Sequence, residues 1–122
     1  MLIPFLVSKI HQAHVTDTNI HYSGSMTLDE DIMKAANLKE YQKIEIYNIS
    51  NGSRLSTYVI QGEKGSKQVV VNGAAAHLVS KGDVVIIAAY ALIDEKELNS
   101  LQSVILLMNE KNEVAKILNG KL

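Results

Sequence analysis

The chain has 122 residues, enough for one domain, and we predict a single domain over residues 1–122. Twelve basic and thirteen acidic side chains nearly cancel, so no overall field favours nucleic acid or an anionic membrane surface. Cysteine is absent, which excludes disulfides and thiolate metal sites, and no apolar stretch reaches the length of a membrane span. We therefore expect a cytoplasmic protein with no nucleic-acid and no membrane partner.

The first third of the chain contains one long apolar segment and one short helical one. Leu2–Ile10 has the composition of a strand. Asp29 is suited to cap a short helix over Glu30–Ala36, and Asn37 is suited to end it.

A hairpin is predicted in the middle of the chain. Lys43–Ile49 alternates between apolar and polar residues, and Arg54–Ile60 is the expected return strand. Between them lies Asn51-Gly52, a dipeptide typical of the type I′ turn, in which both central residues have positive φ.

The remaining elements are again mostly short strands, predicted at Lys67–Val71, Asp83–Ile93 and Ser103–Met108. One helical turn is predicted at Ala74–Leu78 and another, capped by Asp94, at Glu95–Leu98. Many short strands with glycine-containing turns indicate a mainly β protein, a compact barrel with a few short helices.

The four histidines raise the question of a metal site. His11 and His14 are three residues apart, a spacing that sends two side chains of a regular strand to opposite faces. Neither is accompanied by a convincingly placed acidic residue, so we predict that no metal is bound.

Three segments contain residue types that could support catalysis. The first is HYSGS, His21 to Ser25. A Gly-Ser pair alone is typical of a turn, and the chain has two others, at Gly52-Ser53 and Gly65-Ser66. A serine hydroxyl can also attack the carbonyl that precedes it, and a glycine there leaves that carbonyl open.

The second segment runs from Asn51 to Tyr58. Strand alternation places Arg54, Ser56 and Tyr58 on one face and Leu55, Thr57 and Val59 on the other. This face is either a solvated surface or a place where Arg54 meets a small anion. The third, Asn72 to His77, has small residues that let backbone N–H groups approach a ligand, or that simply form a tight turn.

Taken together, the segments resemble the bacterial aspartate 1-decarboxylase family, the pyruvoyl-dependent enzymes of pantothenate synthesis. The matching blocks are SKIHQAHVT (Ser8 to Thr16), HYSGS (His21 to Ser25), NISNGSRLSTY (Asn48 to Tyr58), VNGAAAH (Val71 to His77) and GDVVIIAAY (Gly82 to Tyr90). They stand in the family's order and spacing over residues 1 to about 93, and the resemblance is what selects Gly24-Ser25 among the three Gly-Ser pairs.

The resemblance implies a double-psi β-barrel and a homotetramer whose active sites lie between neighbouring subunits. It implies self-cleavage between Gly24 and Ser25 into fragments 1–24 and 25–122, with Ser25 converted into a pyruvoyl cofactor. The implied substrate is L-aspartate, which is converted to β-alanine and CO₂.

Roles follow from the same resemblance, residue by residue. Ser25 becomes the cofactor, Tyr58 donates a proton, Arg54 binds a substrate carboxylate, and Thr57 contacts the substrate and takes part in processing. Lys9 lies in the site, and the backbone of Gly73, Ala74 and Ala75 binds substrate. Tyr22, Asn72 and His11 support the site.

The sequence differs from the family's usual pattern at two positions, Leu55 and Tyr47, where other side chains are frequent. Two alternatives remain at this stage: a ligand-binding barrel that is not an enzyme and does not process, and a serine hydrolase. The absence of a convincing Ser-His-acid arrangement argues against the hydrolase.

Overall fold

The structure, a computed structural model, describes residues 1–119. The last three residues of the predicted domain and of the predicted larger fragment, 120–122, lie outside the described residues. The strands are β1 (Leu2–His14), β2 (Asp17–Asn19), β3 (Ser25–Asp29), β4 (Lys43–Asn48), β5 (Arg54–Gly62), β6 (Val69–Asn72), β7 (Val84–Asp94), β8 (Val104–Met108) and β9 (Val114–Asn119). One α-helix, α1 (Glu30–Ala35), and two 3₁₀ helices, Gly73–His77 and Glu95–Glu97, complete the described elements.

The strands form one sheet in the order β2-β6-β3-β5-β4-β7-β1-β8-β9. Thr16, which lies between β1 and β2, joins the end of β1 to the start of β6. Its N–H donates to the carbonyl of Val69, and its hydroxyl accepts from the Val69 N–H. The mainly β prediction is confirmed. The double-psi crossing agrees with this strand order and stays a prediction.

Apolar side chains on the inner face of the sheet form the core. Every second residue of β4 is buried, including Ile44 and Ile46, and Ile87 on β7 and Ile10 on β1 are buried as well. The opposite residues of β4 and β5, from Lys43 to Tyr47 and from Arg54 to Tyr58, are half-buried or exposed. The alternation predicted for this hairpin is therefore confirmed.

Three strands were not predicted: β2, β3 and β9. β3 is the important one, because it begins at Ser25 and pairs with β5 on one side and β6 on the other. Its pattern of burial is nearly continuous rather than alternating, as expected for a strand covered on both faces.

The two-residue type I′ turn predicted at Asn51-Gly52 is wrong. Only Gly52 has positive φ, and the loop is wider, closed by bonds from the Gly52 N–H to the Asn48 carbonyl and from the Asn48 N–H to the Ser53 carbonyl. The reason is the Asn48 side chain, whose Oδ1 accepts from the Ser50 N–H at 2.9 Å and so organises the loop from within.

Asp29 caps α1 as predicted, with its carboxylate accepting from the Asp31 N–H at 2.8 Å. Asn37, which has φ of 56°, terminates the helix two residues after its last residue. The Asn37 N–H donates to the Lys34 carbonyl, and the Leu38 N–H donates to the Met33 carbonyl. This pattern is a Schellman motif, in which asparagine adopts the left-handed conformation.

β1 is longer than predicted, and its pairing with β7 shifts register twice, between Leu6 and Ser8 and, at a bulge, between Ile10 and Ala13. Ile10 pairs with Ile87 and Ala13 with Val85, so three residues of β1 span two of β7, and Gln12 has φ of 63°. The bulge reverses the alternation, which places His11 and His14 on the same outer face. The prediction that they lie on opposite faces is wrong for this reason.

No helix within residues 1–119 is long and apolar enough to cross a membrane.

Candidate functional site

Ser25 is held by hydrogen bonds at the start of β3. Its side chain is 1% exposed, and Oγ accepts from Nδ2 of Asn72 at 3.1 Å. Asn72 is its register partner on β6, and the same Nδ2 donates to Oγ1 of Thr27 at 3.0 Å. The Ser25 hydroxyl is directed at the carbonyl of Ser23, at 3.4 Å. Asn72, which we expected to support the site, thus contacts Ser25 directly.

The segment before Ser25 lies against the start of the 3₁₀ helix. A Cβ built on Gly73 would stand 2.6 Å from Cα of Gly24 and 2.9 Å from the carbonyl oxygen of Tyr22, and Gly73 has φ of +66°. A Cβ on Gly24 would meet nothing within 4 Å. The close approach thus depends on Gly73, while only the position of a Cβ on Gly24 is free of neighbours.

Tyr58 lies on the strand next to Ser25. β3 and β5 are parallel, with Met26 opposite Val59, and continuing this register by one residue sets Ser25 alongside Tyr58. Tyr58 is 36% exposed, and its ring packs at 6.2 Å from that of Tyr41. Thr57 is half-buried and pairs with core residue Ile44, so it belongs to the other face of β5.

Arg54 is the first residue of β5, four residues before Tyr58. Its guanidinium stacks on the ring of Tyr47 at 4.4 Å, and the two residues are register partners. The Tyr47 hydroxyl bonds to that of Tyr90 at 3.0 Å. This bond, together with burial, raises the pKa of Tyr47 to about 12. A shallow cavity lies beside Arg54, lined also by Tyr47, Asn48, Ser53 and Ile86.

Lys9 lies in the row of register partners Lys9, Ala88, Glu45 and Ser56. At about 4.8 Å between neighbouring strands, Lys9 is roughly 14 Å from Ser56 along the sheet. One chain therefore does not bring Lys9 next to Tyr58 along this row.

His11 follows Lys9 on the outer face. Burial, and then the charge of Lys9, lower the pKa of His11 below its usual value. Its Nδ1 is buried and has no partner among the described residues. His11 lies on β1, which three strands, β7, β4 and β5, separate from β3 in the order of the sheet.

The remaining predicted residues lie in or next to the processing segment, by which we mean residues 22–24 before Ser25. Ala74 is exposed and Ala75 half-buried, both in the 3₁₀ helix after Gly73, and Tyr22 is 53% exposed in the loop before Ser25. Within residues 1–119 no group of three or more histidine and acidic side chains could hold a metal ion. The partners of Ser25 Oγ are an amide and a carbonyl rather than a histidine, so the geometry does not favour a serine hydrolase.

Sequence reasoning missed Thr27. Its hydroxyl is the second acceptor of the Asn72 amide, but nothing local predicted that Ser25–Asp29 is a strand. The available signal was the spacing of two, which puts Ser25 and Thr27 on one face of any strand.

These features define a mainly β domain in which a serine is hydrogen-bonded to an amide at the start of a buried strand and a glycine packs against the residue before that serine. The family model described as aspartate decarboxylase matches residues 1–115. The chain belongs to this family.

Individual relatives are similar in sequence over nearly the full length of the chain. The chain is 51% identical over 120 residues to aspartate 1-decarboxylase of Sulfurimonas denitrificans, which covers 98% of this chain and 99% of the relative. It is 54% identical over 114 residues to the protein of that name in Helicobacter acinonychis, covering 93% of this chain and 97% of the relative. A third relative of that name, in Caldicellulosiruptor saccharolyticus, is 47% identical over 119 residues, 98% of this chain and 93% of its own length.

Proposed function

We propose that this chain decarboxylates L-aspartate to β-alanine and CO₂, feeding pantothenate and coenzyme A synthesis, after cleaving itself between Gly24 and Ser25. Family membership supports the reaction. The observation that carries the proposal in the structure is the buried Ser25 hydroxyl, which accepts from Asn72 while Gly73 packs against Gly24.

Cleavage needs only groups of the chain and water. Ser25 Oγ attacks the Gly24 carbonyl carbon, the bond from that carbon to the Ser25 nitrogen breaks, and the hydroxyl proton passes to this nitrogen. The Cα proton then leaves to water as the Cβ–Oγ bond breaks, which leaves Gly24 as a carboxylate. Hydrolysis of the resulting dehydroalanine consumes one water, releases one ammonia and leaves a pyruvoyl group on fragment 25–122.

The residues around Ser25 fit the formation of such a group. The Asn72 amide donates to Ser25 Oγ, the atom that leaves with Gly24, and a Cβ on Gly24 would meet nothing within 4 Å. A pyruvoyl group supplies a sink for the electrons that CO₂ leaves on the α-carbon.

Arg54 is the residue that we assign to the substrate carboxylate that survives the reaction. Its planar guanidinium matches two carboxylate oxygens, and stacking on Tyr47 fixes the plane of that guanidinium. Binding the departing carboxylate equally tightly would stabilise the ground state against reaction.

Tyr58 donates a proton to the α-carbon after CO₂ leaves. Lys9, Thr57 and the backbone of Gly73–Ala75 complete the substrate contacts.

We further propose a homotetramer with active sites between subunits. One chain leaves Lys9 about 14 Å from Ser56 along the sheet, and a neighbouring subunit supplies the missing side chains. The ribbon of β1 and β7 also exposes Leu2 (59%), Leu92 (66%) and Tyr90 (45%). Apolar groups exposed in this way are typical of a subunit interface.

Intact mass under denaturing conditions, combined with a β-alanine assay, tests the proposal. We expect two fragments without added protease, the larger one lighter by one ammonia than residues 25–122 beginning with serine. Ser25→Ala should stay whole and inactive. A wild-type chain that stays whole and yet releases CO₂ from aspartate would overturn the mechanism, and a whole chain without activity would support a ligand-binding barrel.

A further inference from the structure

The hydrogen bonds around Asn72 point to a residue outside the known machinery. Its Nδ2 donates to two hydroxyls, Ser25 Oγ at 3.1 Å and Thr27 Oγ1 at 3.0 Å. An amide nitrogen carries two hydrogens in one plane, so both are used. Asn72 is 3% exposed, and water therefore cannot readily replace either partner.

The amide plane is fixed by the second bond. Asn72 has no side-chain bond to the 3₁₀ helix that follows it, so its rotation about the last side-chain bond is restrained by its two hydroxyl partners. Thr27 is suited to this restraint because it is β-branched, which limits its χ1 angle, and because β3 is paired on both sides.

The N–H aimed at Ser25 matters at two stages. When Oγ attacks the Gly24 carbonyl it loses its proton, and a donor to Oγ favours the charged form. When the Cβ–Oγ bond later breaks, the same oxygen leaves as part of the Gly24 carboxylate. A donor held in place before charge develops stabilises both transition states.

We propose that Thr27 is a positioning residue for self-cleavage, its hydroxyl holding the Asn72 amide so that the other N–H points at Ser25 Oγ. This rests on the proposed self-cleavage. Thr27 does not touch the scissile bond in this assignment; it acts through Asn72.

The test follows the rate at which freshly translated full-length chain separates into its two fragments, by denaturing gel and intact mass. Thr27→Val removes the hydroxyl and keeps the shape, and Thr27→Ala removes it without β-branching. Thr27→Ser keeps the hydroxyl. Thr18→Val is the matched control, since Thr18 lies on β2 opposite Val71 and its hydroxyl has no partner among the hydrogen bonds of the described residues.

We expect Thr27→Val and Thr27→Ala to cleave about tenfold more slowly, with Thr27→Ser within about threefold of wild type and Thr18→Val unchanged. Thermal unfolding of each variant in the Ser25→Ala background shows whether it folds, and if Thr27→Val does not fold, Thr27→Ala decides. Equal cleavage rates in wild type and the folded hydroxyl-free variant would overturn the proposal. Equal slowing in Thr27→Ser would do so too, because the hydroxyl would then not be the cause. A wild-type chain that never cleaves would instead overturn the self-cleavage on which the proposal rests.

Discussion

At Gly73 the backbone leaves no room for a side chain. Positive φ and contact with Gly24 coincide there, so Gly73→Ala combines backbone strain with a displaced processing segment. We expect a loss of about 1–3 kcal/mol in the free energy of unfolding and slower cleavage. Urea unfolding and intact mass measure the two effects. Gly24→Ala is the control for stability, since its Cβ meets nothing; similar unfolding midpoints for the two variants would contradict the steric argument.

A variant of Tyr58 can distinguish cofactor formation from catalytic turnover. Tyr58→Phe keeps the ring packed against Tyr41 and removes only the hydroxyl, whose assigned step follows self-cleavage. We expect full processing by intact mass and β-alanine release slower by about 10²–10⁴-fold. Unchanged turnover would assign the proton to another group, and a block at cleavage would place Tyr58 in processing.

The pair of Tyr47 and Tyr90 predicts an unusual titration. Because the bond between their hydroxyls raises the pKa of Tyr47 to about 12, the phenolate absorbance should include a component with that midpoint. Its contribution to stability is present below the ordinary tyrosine pKa of about 10 and is lost as pH rises towards 12. Tyr47→Phe should remove the component and Tyr90→Phe should move it to lower pH. A component that stays in place in Tyr90→Phe would show that the bond is not the cause.

At the scale of elements, Asp29 connects β3, α1 and the loop before β6. Its carboxylate accepts from the N–H groups of Asp31, Gly65 and Lys67 at 2.7–3.0 Å and is 2% exposed. Burial alone would raise the pKa of Asp29, but the bonds from these three N–H groups lower it below its usual value. The carboxylate therefore stabilises the fold above the ordinary aspartate pKa of about 4, and this contribution is lost as pH falls through the lower folded value.

Asp29→Asn should therefore destabilise the protein by about 1.5–3 kcal/mol near neutral pH and reduce the acid dependence of unfolding below pH about 4. Asp94→Asn is the matched control, because Asp94 also caps a helix, through the Lys96 N–H, but is partly exposed. Urea unfolding across pH measures both. Equal losses in the two variants would contradict the importance of burial.

At the scale of the whole molecule, the distance of Lys9 from β5 predicts complementation between subunits. Lys9→Ala and Ser25→Ala should each be inactive alone. In the proposed homotetramer, in which Lys9 serves the site of a neighbouring subunit, co-expression of the two variants should combine an intact Ser25 from one chain with an intact Lys9 from the other and recover activity. Native mass spectrometry verifies mixing. Mixed tetramers without activity would place Lys9 in the site of its own chain.

Local chemistry in the sequence determined several features directly. Asp29 caps the start of α1 as predicted, because a carboxylate can accept from N–H groups close to it in the chain. Asn37 terminates the helix as predicted, because asparagine tolerates positive φ. The alternation from Lys43 to Tyr58 fixed which residues of β4 and β5 face the core. The ordered blocks around Gly24-Ser25 identified the family, which the family model confirms.

Only the tertiary structure decided the features that depend on distant pairing. The bond between Asn72 and Ser25 joins residues 47 apart, and the bulge in β1 reflects how that strand fits β7. β3 was not predicted from the sequence: Ser25–Asp29 alternates between polar and apolar residues, but the strand is only five residues long and its partners, β5 and β6, lie far along the chain. The role of Thr27 follows from the same pairing. Local sequence determines where turns form and which face of a strand is apolar. Strand register is set instead by which distant side chains pack together, and the neighbours of Ser25 depend on that register.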